Sequence, residues 1–86
     1  MKYFSIEELG VLKAVCNRTW ENIAQDLVEI VGRPASRDSV FEVVTDRLND
    51  FAGSPQEKRL VGKFLSFSWK KMQDLKVELL PMEFYE

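Results

Sequence analysis

Any catalysis by this 86-residue chain would have to come from carboxylates, hydroxyls, amines and one thiol, because the sequence contains no histidine. That absence removes the commonest general base, the commonest metal ligand and any Ser-His or Cys-His nucleophile pair. The pairs Glu7/Glu8 and Asp46/Asp50 have the residue types for acid–base exchange. Their positions have a simpler explanation. Glu7 and Glu8 fall in the first turn of an expected helix, where the helix dipole favours negative charge. Asp46 and Asp50 fall one turn apart on the polar side of another. Nothing supplies a nucleophile, an activated base and an oxyanion donor together, so the expected function is non-enzymatic.

With one cysteine and no histidine, every zinc pattern fails. A calcium loop starting at Asp46 would place Leu48 where the second oxygen ligand belongs, and it lacks the glycine at its sixth position. The four glycines are isolated, so none builds a phosphate-cradling loop. No metal and no cofactor are expected. Cys16 lies in an apolar stretch with only Lys13 as a basic neighbour in the preceding turn, which reads as a buried, inert thiol. A lone thiol fits a reducing compartment. The N-terminal residues meet acids before any long apolar stretch, unlike a secretory signal. No run of 18 apolar residues occurs. The expected location is the cytoplasm, with no membrane partner.

The elements that must position these residues are marked by helix punctuation. Ser5-Ile6-Glu7-Glu8 has the form of a capping box, with Phe4 and Leu9 as its hydrophobic staple. It predicts a first helix over about 5–16, in which Gly10 would be tolerated if a second helix crosses closely there. Asn17-Arg18-Thr19 reads as a short polar break. Thr19 then caps a second helix over 19–31, with Trp20, Ile23, Ala24, Leu27 and Val31 at helical spacing. Gly32 and Pro34 end it. Ser36 caps a third helix over 36–51, striped by Val40, Val43, Val44, Leu48 and Phe51 and ended by Gly53. Ser54-Pro55-Gln56-Glu57 is a second capping box, with proline at the first helical position. It opens a fourth helix expected to run over 55–80 until Pro81. In that helix Val61, Leu65, Ser68, Met72, Leu75 and Leu79 form a seam, and Leu60, Phe64, Phe67 and Trp69 widen the apolar arc. The fold class is all-α: four helices in one domain over 1–86, short loops, no sheet, and a tail at 81–86.

Two polar ridges remain for partners. Asp38, Glu42, Asp46 and Asn49 recur at helical spacing on the outward side of the third helix, with Asp50 beside them. Arg59, Lys63, Ser66 and Lys70 line one side of the fourth. Residues 1–53 carry six basic and nine acidic side chains, whereas 54–80 carry six basic and three acidic. The tail ends in Phe84 and Tyr85, an aromatic pair that should dock on the bundle or on a partner.

Thr19-Trp20-Glu21-Asn22-Ile23-Ala24-Gln25-Asp26-Leu27, followed by Ser36-Arg37-Asp38-Ser39-Val40 and Arg47-Leu48, resembles a helix-turn-helix module. The resemblance covers about 30 residues. It implies a recognition helix with Arg37 and Ser39 at base edges. Separately, the ridge of the fourth helix could meet an acidic protein surface or nucleic acid, and under the DNA-binding alternative Arg59, Lys63 and Lys70 would add contacts. The 16-residue interval from Ala24 to Val40 is longer than the tight form of the motif, and no hairpin wing follows. The acidic ridge would also face the phosphates. The expected partner is therefore another protein or a homodimer mate, met through Asp38, Glu42, Asp46, Phe84 and Tyr85. DNA binding through 19–51 stands as the alternative.

Overall fold

The structure, a computed structural model, describes residues 3–31 and 37–80, with the side chains of all of these except 25–31 and 37. Gly32, Pro34, Ser36, Phe84 and Tyr85 therefore lie outside the described residues. The described elements are all helical: α1 (Ile6–Val31), α2 (Arg37–Phe51), α3 (Pro55–Leu65) and α4 (Trp69–Leu79). The all-α bundle read from the sequence is borne out, but its helices are divided at different places.

The expected break at 17–19 is absent, and the helices placed at 5–16 and 19–31 form one helix of 26 residues. Each polar residue there finds a partner that suits a continuous helix. The Thr19 hydroxyl donates to the Val15 carbonyl (2.7 Å) instead of capping a new helix. Asn22 Nδ2 donates to the Arg18 carbonyl (2.8 Å). Arg18 reaches across to the α2–α3 turn, where Nη2 donates to the Phe51 carbonyl (2.7 Å) and to Glu57 Oε1 (2.9 Å). Side chains that compete with a helical backbone elsewhere are here bonded without breaking it. Asn17 is the exception: its buried Oδ1 has no hydrogen-bond partner.

The opposite happens at 66–68, where the helix placed over 55–80 is split. α3 ends at Ser66, whose amide donates to the Gly62 and Lys63 carbonyls (both 3.2 Å). Ser68 is extended and caps α4. The split explains the wide apolar arc. Leu60, Val61 and Phe64 bury one side of α3, and Met72, Leu75 and Leu79 bury one side of α4. Two short helices each need one stripe, where a single straight helix would have needed neighbours on two sides.

Both capping boxes form. Ser5 Oγ accepts from the Glu8 amide (3.1 Å), and Glu8 Oε1 accepts from the Ser5 amide (3.0 Å). Ser54 and Glu57 repeat the exchange at 3.1 and 3.2 Å. Gly10 does not mark a close crossing: a Cβ added there would meet nothing within 4 Å.

α1 packs against all three other helices, and α2 also packs against α3. One core cluster joins them. It includes Leu12, Val15 and Ile23 of α1, Val40, Phe41, Val44 and Leu48 of α2, and the buried stripes of α3 and α4. Each fully buried Leu, Ile or Phe contributes about 1.5–3 kcal/mol. Cys16 belongs to this core at 1% exposure.

Candidate interaction faces

The outward face of α2 is built by its inward one. Val40, Phe41, Val44 and Leu48 have no exposed surface. Helical spacing then turns Asp38, Glu42, Asp46, Asn49 and Asp50 outward, and all five are exposed. The ridge expected from the sequence is present but not uniform. Asp38 pairs with Lys76 of α4, so its charge is neutralised within the fold. Glu42, Asp46 and Asp50 make no ion pair with any described residue. Three free carboxylates on one helix face form a local negative field that can steer a cationic partner.

The basic ridge is divided. Arg59, Lys63, Ser66 and Lys70 are all exposed, but Arg59 and Lys63 are on α3, Ser66 caps its end, and Lys70 lies beyond the break on α4. Arg59 and Lys63 face the start of α1. Glu8 is held below the usual carboxylate value first by the Ser5 amide and then by the charges of Lys63 and Arg59. Lys63 Nζ also lies over the Phe4 ring, 4.8 Å from its centroid. Lys71, which the sequence did not single out, lies over Tyr3 and Phe67 at 5.5 and 5.9 Å. Much of this positive charge is thus used against the molecule's own rings and helix start.

Of the other site residues, Arg37 opens α2 with its side chain outside the description, and Ser39 is half-buried. Phe84 and Tyr85 are beyond the described residues. Cys16 is sealed in the core, and burial pushes its thiol up to about 12, so little thiolate exists near neutrality. Among the described residues no group of three or more His, Cys, Asp or Glu side chains is placed to hold a metal ion. No described helix is long and apolar enough to cross a membrane.

The chain matches no protein-family model, no curated protein and no solved structure.

Two further surfaces escaped the sequence reading. A cleft of about 660 Å³ lies between the start of α1 and α4, lined by Tyr3, Phe4, Ser5, Ile6, Leu9, Leu75 and Glu78. Ile6, on its wall, is 88% exposed. On α4, Trp69 and Val77 stand 46% and 60% exposed. Val77 was legible in principle, because it falls outside the Leu75/Leu79 stripe. Trp69 was hidden by treating 55–80 as one helix.

Proposed function

We propose that this chain is a non-enzymatic helical module that binds another protein, presenting the carboxylates of α2 to a basic surface. One observation carries the reading: Glu42, Asp46 and Asp50 are exposed, and make no ion pair with any described residue, on a helix whose opposite side is fully buried. A buried stripe that deep fixes the helix, so the carboxylates are displayed by a rigid element. Such a face accelerates encounter with a cationic surface and repels like charge.

The same face weighs against the helix-turn-helix alternative. A recognition helix placed in a major groove would bring these carboxylates toward phosphates, whereas basic contacts normally dominate DNA affinity. The support helix that the resemblance requires begins at Thr19, yet Thr19 lies buried inside α1. The cations that would have to compensate are on α3 and α4, partly engaged with rings.

The test reverses the charge. Glu42→Lys with Asp46→Lys should leave the fold intact, since exposed substitutions cost under about 0.5 kcal/mol each. A protein retained by immobilised wild type from nuclease-treated extract should be lost with the double variant. Equal retention by both would overturn the reading.

A further inference from the structure

The cleft of about 660 Å³ between the start of α1 and α4 has apolar walls, formed by Tyr3, Phe4, Ile6, Leu9 and Leu75. Phe4 and Leu75 belong to the core, whereas Ile6 is 88% exposed. The capping box uses Ser5 and Glu8 and needs nothing apolar at Ile6. A single exposed apolar residue is ordinary, but this one continues the apolar lining of a cleft. The volume falls within the roughly 300–1,000 Å³ usual for pockets that hold a bound group. The charges near the cleft are mixed. Glu78 is on a wall and Glu7 follows Ile6, while Lys63 and Lys71 stand over the Phe4 and Tyr3 rings. They select no occupant by sign, so apolar fit and reach decide.

We propose that this cleft is filled by the segment that follows α4 in the same molecule, Pro81-Met82-Glu83-Phe84-Tyr85-Glu86. The segment has the right chemistry, with three large apolar side chains, Met82, Phe84 and Tyr85, among six residues. It starts in the right place. Glu78, on the cleft wall, lies three residues before Pro81. Leu80 leaves α4 with an extended backbone and is itself buried, so the chain departs along the bundle and not straight into solvent. It also has the reach. Six residues span up to about 20 Å. The cleft follows α4 from Glu78 back toward Tyr3, which lies under Lys71, a distance along the helix of about 10 Å. A segment tethered this close acts at an effective concentration of about 1 mM, which a small apolar ligand or a peptide from another molecule would have to exceed. The chain therefore closes its own cleft, and Phe84 and Tyr85 are used within the molecule. The partner proposed for α2 is met without them, and neither inference depends on the other.

Nuclear Overhauser effects in the full chain test it. The Ile6 methyl protons should show contacts to the ring protons of Phe84 or Tyr85, at the same strength in dilute and concentrated samples. Phe84→Ser with Tyr85→Ser should remove those contacts and leave the helical circular dichroism unchanged. A second readout is energetic. Ile6→Asp keeps α1 intact, because an acid in the first turn suits the helix dipole. Ile6→Asp and the serine pair should each lower the denaturant midpoint, and the combined variant should lose less than the sum, since both remove the same contact. Wild type without contacts between Ile6 and either ring overturns the proposal. So do strictly additive losses, which would place the rings elsewhere. Contacts that appear only as concentration rises would assign the cleft to the segment of a second copy and overturn it as well.

Discussion

The turn from α2 to α3 and the turn from α3 to α4 each end on a serine that caps the next helix, yet different forces hold them. At the first, Ser54 sits in a full capping box. Glu57 Oε1 takes the Gly53 and Ser54 amides (2.9 and 3.2 Å) and the Arg18 guanidinium (2.9 Å). At the second, Ser68 Oγ accepts from the Lys71 amide at 3.4 Å, and the residue three beyond the cap is a lysine, which returns no bond. Rings hold that corner instead. Phe67 lies 5.1 Å from Tyr3, 5.5 Å from Phe4 and 6.2 Å from Phe64, centroid to centroid. A polar turn is specified by its neighbours in sequence. An aromatic turn is specified by residues some 60 positions away.

The largest effect should come from the aromatic corner. Phe67→Ala should cost about 2–3 kcal/mol, below the usual range for a core phenylalanine because Phe67 is half-buried. Denaturant unfolding measures it, and a loss under about 1 kcal/mol would mean that the rings do not hold this turn. Arg18→Ala comes next, at about 1.5–2 kcal/mol, because it removes charge-assisted bonds to the Phe51 carbonyl. If Arg18 were surface decoration, as a loop residue would be, its removal would leave the midpoint unchanged.

The two serines give the finest contrast. Ser54→Ala should cost about 1 kcal/mol and Ser68→Ala about half that or less, since the Ser68 bond is long and unreciprocated. Equal losses would erase the distinction between the turns. Acid should also separate them. Glu57 is held below the usual carboxylate value by the Gly53 and Ser54 amides and then by Arg18. Its contribution is present above the unfolded value near 4.5 and is lost as pH falls through the lower folded value. Wild type should therefore be more stable than Glu57→Gln at neutral pH, with the gap closing in acid. A gap independent of pH would show that the charge of Glu57 is not what matters.

This contrast also explains what the sequence revealed. Both capping boxes, the stripe of α2 and the acidic ridge could be read because each is written within a few consecutive residues. The continuity of α1 could not. It depends on Arg18 meeting Phe51 and Glu57, 33 and 39 residues away. Nor could the split at Ser66-Phe67-Ser68, since serines within a helical stripe give no local reason to stop. The acidic ridge was legible as a pattern, but the Asp38–Lys76 pair that neutralises one end was not. The contact of Trp69 with Phe41 was not legible either, because it joins residues 28 positions apart.

The central claim is that the outward side of α2 meets protein and not phosphate. It is tested most directly by gel-shift titration of wild type against mixed-sequence duplex DNA at low and moderate salt. No retarded species should form at low salt, because Glu42, Asp46 and Asp50 face outward with no ion pair to any described residue. Tight binding that weakens steeply with salt and disappears in Arg37→Ala would contradict the account and assign α2 to the DNA groove.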